Sequence, residues 1–233
     1  MKINYSFLEA SFIDRPNRFL TRVKYNNKIV NSHLPDPGRL KELLKPGARI
    51  LIKEEKGKHR KTAYSTQAVY NKNVLISLNT LIPNQFTEYL LREKKLVFLK
   101  NWVIDKKEIP YDNHRFDFRL KKGNKILLLE VKSVSLLENS IAMFPDAVTE
   151  RGRKHVKYLG KMAEEGISTL VLFVIQRPDS VLFQPQWERD PKFCYALYEA
   201  WQKGMEVRVI HMKMTKNNIQ YLGEIPFDLK PKS

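Results

Sequence analysis

The stretch RFDFRLKKGNKILLLEVK, residues 115–132, decides how this chain is read. Two strand-like runs flank Gly123-Asn124, a dipeptide suited to a two-residue hairpin turn. Side chains alternate between faces along a strand, so Phe116, Phe118 and Leu120 are expected on one face of the first run and Arg115, Asp117 and Arg119 on the other. In the second run Leu128, Glu130 and Lys132 share a face. A turn at Gly123-Asn124 pairs Lys122 with Lys125 and, stepping outward in register, Asp117 with Glu130.

Directly opposed side chains have Cβ atoms roughly 4.5–5.5 Å apart, and like charges there destabilise a sheet. A hard cation, Mg²⁺ or Mn²⁺, offsets that repulsion, because it takes oxygen ligands from one or two carboxylates and from phosphates. Lys132 projects from the same face as Glu130, where an amine can orient an attacking water or take its proton. The competing reading is a set of surface ion pairs, since Asp-x(12)-Glu-x-Lys is a loose pattern. The apolar run ILLLEVK argues against it: such runs mark buried central strands, where an unpaired Glu and Lys are costly.

The rest of the 233-residue chain agrees with a nucleic-acid partner: 42 Lys and Arg against 25 Asp and Glu leave a formal charge of +17. A surplus of that size favours polyanions, DNA first. The alternative is a solvated, Lys-rich surface. The lone cysteine, Cys194, excludes an internal disulfide and a Cys-rich zinc site, and is expected in the core. The histidines lack ligand spacing for zinc. No run approaches the roughly 20 apolar residues that span a bilayer, so no membrane partner is expected and a cytoplasmic location is.

Residues 1–80 read as short strands at 7–14, 18–25, 28–33, 49–54, 64–70 and 74–78, with a short helix around Leu40, Leu43 and Leu44. That order is expected of an OB-like β-barrel. After Pro83 the rhythm changes. A helix capped by Asn84 is expected, then strands over 96–104, 115–121 and 125–132, a helix over 149–165, a strand over 168–176, a helix over 191–202 and a strand over 205–213. The fold class is therefore α+β: an N-terminal OB-like domain, residues 1–80, and a second domain, residues 81–233.

The hairpin with its acids resembles the PD-(D/E)xK nuclease fold, and the whole chain resembles the sugar fermentation stimulation protein family, SfsA. That resemblance is carried by HLPDPGRLKELLKPGARI, RFDFRL, EVKSVSL, FPDAVTERGRKHVKYL, FVIQRPD and DPKFCYALYEAWQKGMEV. It implies a PD-(D/E)xK second domain, largely sequence-independent DNA binding, and a nuclease motif on Asp117, Glu130 and Lys132. One loop departs from the family pattern Asn-Thr-Gly-Arg: here it is Asp36-Pro37-Gly38-Arg39. Gly38 and Arg39 are kept, and Arg39 is expected to bind nucleic acid. An acid at the position of Glu88 approaches the metal in some nucleases of this fold, the alternative being a surface glutamate.

Further nucleic-acid contacts are expected from Arg151, Lys154 and His155 on one helix face, the alternative being a solvated basic helix. Gln176 is either a substrate contact or a polar core residue, and Arg177 a phosphate contact. Lys58, Arg60 and Lys61 lie in a basic loop of the barrel, with Tyr64 and Tyr70 as stacking platforms; a polar hairpin is the alternative. Together these imply a Mg²⁺- or Mn²⁺-dependent phosphodiesterase acting on DNA. The rivals are a non-catalytic DNA-binding regulator of sugar metabolism and an RNA-directed enzyme or binder. The oligomeric state is left open, a homodimer among the options.

Overall fold

The computed structural model describes residues 1–57, 60–111 and 114–231, with the backbone alone at His114. Six strands, β1 (Leu8–Asn17), β2 (Leu20–Tyr25), β3 (Lys28–His33), β4 (Arg49–Glu54), β5 (Tyr64–Asn71) and β6 (Val74–Ser77), form the first sheet. Its order is β3-β2-β1-β4-β5-β6, and a parallel pairing of β3 with β5 closes the first five strands into a barrel. Phe12, Val23, Ile50, Ile52 and Val69 fill the interior. Closure removes the free edges that short antiparallel strands would otherwise expose.

The expected helix at 40–44 is a pair of turns instead. Leu44 N–H donates to the Leu40 carbonyl over 2.8 Å, but Leu40 has φ +51° and no helix propagates. The physical reason is the crowding of Pro35, Pro37, Gly38, Pro46 and Gly47 around too few helix-forming residues. Leu40, Leu43 and Leu44 still serve the barrel, since all three are buried in its core.

The second region is built on a mixed sheet of order β15-β14-β12-β9-β8-β7. Its strands are β7 (Val103–Tyr111), β8 (His114–Lys122), β9 (Lys125–Val134), β12 (Ser168–Ile175), β14 (Glu206–Met214) and β15 (Ile219–Glu224), while β10 (Leu137–Glu138), β11 (Ile141–Phe144) and β13 (Leu182–Pro185) make a small side sheet. Helix α1 (Ile82–Arg92) covers one face; α2 (Glu150–Glu164) and α3 (Pro191–Gln202) cover the other. Even-numbered residues of β12, Leu170, Leu172 and Val174, pack toward α1, and Val171, Phe173 and Ile175 toward α2 and α3. A strand buried on both faces needs this unbroken apolar run.

Two boundaries differ from expectation. Residues 97–99 form a 3₁₀ turn, and the strand expected at 96–104 begins at Val103. Helix α1 starts at Ile82 with Pro83 in its first turn, so Asn84 is helical rather than a cap. Proline is favoured there because the first helical N–H groups have no intrahelical partner.

The two regions share apolar packing. Leu51, Ala68 and Leu75 of the barrel belong to one core with Ile82, Phe86, Leu90 and Met212. The chain's first residues lie on β15, with Met1 and Ile219 exchanging backbone hydrogen bonds of 2.7 and 2.8 Å. Across the sheet, α2 crosses α3 at Gly160, where an added Cβ would stand 2.7 Å from Ala200 Cβ and 2.8 Å from its Cα. Gly160→Ala should therefore destabilise the fold by about 1–3 kcal/mol despite alanine's better helix propensity, as overpacking against backbone requires. Urea unfolding checks this, and an unchanged or raised midpoint would count against the close crossing.

Candidate active site

The hairpin has the register expected of a turn at Gly123-Asn124. Lys122 pairs with Lys125 and Phe118 with Leu129, and Gly123 takes φ +57°, open to a residue without a Cβ. The ladder ends at Phe118. One step on, Asp117 Oδ2 accepts the Val131 N–H over 2.8 Å, so a side chain takes the donor that a backbone carbonyl would otherwise use. The alternation expected in this strand breaks at the same point: Phe118 and Leu120 pack on the α1 side, whereas Phe116 lies in the α2 core against the His155 ring.

Asp117, Glu130 and Lys132 line one cavity of about 610 Å³. Asn84 Nδ2 on α1 donates to Asp117 Oδ1 over 2.7 Å, so both Asp117 oxygens have donors. Glu130, 4% exposed, accepts from Lys132 Nζ at 2.7 Å on Oε1, the oxygen that also contacts His155 Nδ1. Its Oε2 is buried without a hydrogen-bond partner. Burial and then the neighbouring Glu130 push the Asp117 carboxyl up to about 6. Burial also works against ionisation of Glu130, but Lys132 and His155 outweigh it and hold that carboxyl at about 2. The two acids thus sit in one cleft with opposite protonation tendencies.

Other expected contacts are placed differently. His155 does not grip phosphate from the surface: it is 3% exposed and lies on the buried stripe of α2 with Leu159 and Met162. Arg151 and Lys154 are exposed on that helix, and Arg151 also lines the cavity. Helix α2 begins where expected, with Thr149 Oγ1 accepting the Gly152 N–H. Glu88 is not among the residues lining the cavity; it pairs at 2.8 Å with both Arg92 and Lys107 on the outside of α1. Arg177 is 2% exposed and locked to Asp179 and the Ser135 carbonyl, which leaves it unavailable to a phosphate. Gln176 is fully buried; its Nε2 donates to Ser133 Oγ over 2.8 Å.

In the barrel, Arg60 and Lys61 are exposed, and Lys58 lies outside the described residues. Both tyrosines are half-buried: the Arg49 guanidinium lies over the Tyr70 ring, 4.0 Å from its centroid, and Tyr64 packs edge-on to Tyr25. Arg39 is exposed, on a loop gripped by Arg15, whose guanidinium donates to the carbonyls of Arg18, Asp36, Gly38 and Arg39. Asp36 Oδ1 accepts the Gly38 N–H over 2.7 Å, and burial pushes its carboxyl up to about 6. Asp146 ties this loop to the second region through Leu40 N–H and Arg189, both at 2.8 Å. Cys194 is fully buried, and burial pushes its thiol up to about 12, which removes it as a nucleophile.

Sequence reasoning missed Asn84 and His155 as the groups that hold the acids. The signal for His155 was its helical spacing to Leu159 and Met162; for Asn84 it was Pro83, which places the helix start ahead of it.

Among the described residues no group of three or more His, Cys, Asp or Glu side chains is disposed to hold a metal. Two carboxylates remain, one with an oxygen that lacks a donor. That set fits a hard cation that keeps water and takes phosphate oxygens for its other positions. Among the described residues no helix is long and apolar enough to cross a membrane.

The chain is a two-part protein, a closed OB-like barrel followed by an α/β region of three helices on a mixed sheet. Residues 81–218 match the model of the sugar fermentation stimulation protein RE domain, and residues 13–78 that of the SfsA N-terminal OB domain. The chain belongs to the sugar fermentation stimulation protein family, SfsA. It is 38% identical to the sugar fermentation stimulation protein homologs of Clostridium botulinum strain Hall and of Clostridium kluyveri, each over 98% of this chain and 100% of the relative. The structure of Pyrococcus furiosus SfsA in complex with Ca²⁺ superimposes with a TM-score of 0.91 at 26% identity, covering 98% of both chains.

A carboxyl raised in the folded state binds its proton more tightly there, so its contribution to stability declines as pH rises from the unfolded value, about 4, through the folded value. Relative to wild type, Asp117→Asn should therefore gain stability between pH 4 and pH 7, by up to about 2 kcal/mol. Denaturant unfolding of both proteins in chelator measures the difference. A gap that stays constant or narrows with rising pH would remove the raised Asp117 carboxyl from the description.

Proposed function

We propose that this chain binds DNA and that its second domain, residues 81–233, hydrolyses phosphodiester bonds in the presence of Mg²⁺ or Mn²⁺, beside an OB-like domain of residues 1–80. The observation that carries the reading is the Asp117 and Glu130 pair in one cleft, with Glu130 Oε2 buried and undonated and Lys132 Nζ 2.7 Å from Oε1. The Pyrococcus furiosus relative in complex with Ca²⁺ supports a divalent ion in this family. Such an ion, when bound, supplies Lewis-acid stabilisation of a phosphoryl oxygen.

The chain's own residues divide the remaining work. Asn84 and the Val131 N–H fix the orientation of Asp117, and His155 and Lys132 both bear on Glu130 Oε1, which leaves Oε2 without a donor. Lys132 donates one N–H to Glu130 and keeps two for a water and a phosphate oxygen. Arg151 lines the same cavity, and Arg18 stands on the barrel side of it. The formal charge of +17 supplies the long-range attraction for a polyanion.

The test separates cleavage from binding. Asp117→Asn and Glu130→Gln should lower cleavage by about 10²–10⁴-fold in Mg²⁺ or Mn²⁺, and Lys132→Ala by a similar factor. DNA binding in chelator should persist or tighten for the two carboxylate variants, because each removes repulsion from the phosphate backbone. If the wild type cuts neither strand nor duplex, DNA or RNA, across a range of divalent ions, the non-catalytic regulator replaces this reading.

Binding itself should weaken steeply with salt, as counterion release dictates when several phosphates are contacted. Changing Lys58, Arg60 and Lys61 together to Ala should lower affinity for all sequences alike and flatten the salt slope. Anisotropy titrations at several ionic strengths measure both; a change in sequence preference would point instead to base readout.

A further inference from the structure

The cavity that holds the acids is not made by the second domain alone. Its lining also includes the barrel's β1–β2 turn, Arg18 and Phe19, and the loop from Pro35 to Gly38. A second cavity, about 520 Å³, shares Arg18, Ala147 and Val148 with the first and continues to Arg39 and Arg189. The two therefore adjoin along Arg18, and besides Arg39 and Arg189 the second carries the acids Glu138 and Glu188.

Phe19 is 52% exposed in the lining of the first cavity, and its backbone is fixed from three directions. Asn17 Oδ1 accepts the Phe19 N–H over 2.9 Å, the Phe19 carbonyl accepts from Leu34 N–H over 2.9 Å, and the preceding carbonyl, that of Arg18, accepts from Arg15 over 2.6 Å. A polar turn residue would satisfy the same backbone at lower cost in exposed apolar surface. The chain instead holds an aromatic ring on a pinned turn, next to an arginine, in the lining of the cavity that also holds two carboxylates. A ring so placed is pre-organised for a planar partner.

We propose that Phe19 is a stacking platform for an unpaired nucleobase, and that the substrate strand at this site is single-stranded DNA. The inference rests on the proposed nuclease reading and adds the substrate class. Cavity size and recess decide between strand and duplex. Each cavity is on the scale of one small ligand, and Glu130 is 4% exposed at the bottom, so a phosphate reaches it on a strand that leaves its partner behind. Aromatic stacking, here with Arg18 as its neighbour in the chain and in the cavity lining, is the sequence-tolerant means of holding such a strand.

The test uses the full chain in chelator, with anisotropy of a labelled DNA single strand and of the same sequence as a duplex. Wild type should prefer the single strand. Phe19→Ala should lose about 5- to 150-fold on the single strand, the range that one stacked base represents, with little change on the duplex. Phe19→Trp should restore it. An abasic site scanned along the strand should, at one position, cost wild type the same factor and Phe19→Ala nothing, and 2-aminopurine at that position should be quenched by wild type alone.

Equal single-strand affinity for wild type and Phe19→Ala would overturn the stacking role and leave the nuclease reading standing. Equal losses on strand and duplex would overturn the single-strand assignment. No binding of any DNA by wild type would overturn the parent reading, an outcome visible before any variant is made.

Discussion

Two carboxylates placed side by side with little water around them are the constraint on which the second domain is organised. Burial of a charge costs several kcal/mol unless partners take its place, and two like charges compound the cost. Asp117 and Glu130 draw those partners from α1, from β9 and from α2: Asn84, the Val131 N–H, Lys132 and His155. Three elements that meet nowhere else in sequence are thereby fixed to one point. The exception is Glu130 Oε2, buried without a donor, and it lies on a residue that lines the cleft. On the proposed reading, the one oxygen of the four left without a donor is the one that a cation would take.

The barrel contributes to the lining of the same cavity, and polar contacts set its position. Arg15 gathers four carbonyls of the 18–39 region, and Asp146 reaches from the second domain to the Leu40 N–H. Gly38 sits where these meet, with Asp36 Oδ1 2.8 Å and Asp146 Oδ2 2.9 Å from where its Cβ would be. Any larger residue would push two carboxylates apart and shift the loop that lines the same cavity as Asp117 and Glu130. The Asp36-Pro37 departure from the family pattern fits this role, since the Asp36 side chain is spent on closing its own loop rather than on a ligand.

Most of the strands and the hairpin register from Lys122 to Phe118 were legible in the sequence because each depends on neighbours within a turn: a Gly-Asn dipeptide, an apolar run. The expected alternation and the direct pairing of Asp117 with Glu130 stop where the ladder ends at Phe118. Residues whose role depends on distant contacts were not legible. Arg177 reads as an exposed cation after a strand and is instead buried against Asp179; Glu88 reads as a metal ligand and is instead held by Lys107 from a strand 19 positions away. His155 reads as polar, and polarity alone does not tell a solvated face from a buried partner for an acid. The turn at 40–44 failed differently: its leucines predict burial correctly, but burial does not require a helix when prolines and glycines deny one.

The distribution of acids bears on how a polyanion would meet this surface. Asp14 is paired with Arg22, Glu88 with Arg92 and Lys107, and Asp105 with Arg119 and Lys121, so these surface carboxylates are neutralised locally while the cationic surplus stays exposed. At physiological salt such pairs are invisible beyond about 8 Å, and an approaching phosphate chain meets mainly positive potential. Acids are concentrated along the cleft, whose lining holds Asp36, Asp146 and Glu150 as well as Asp117 and Glu130. Because Leu51, Ala68 and Leu75 of the barrel share a core with Phe86, Leu90 and Met212, swinging the barrel away would expose that apolar surface, at a cost of about 25 cal/mol per Å². The cleft is thus formed by folding itself, and on the proposed reading a strand drawn in by the surface stops at the one place where only a divalent cation makes its phosphate welcome.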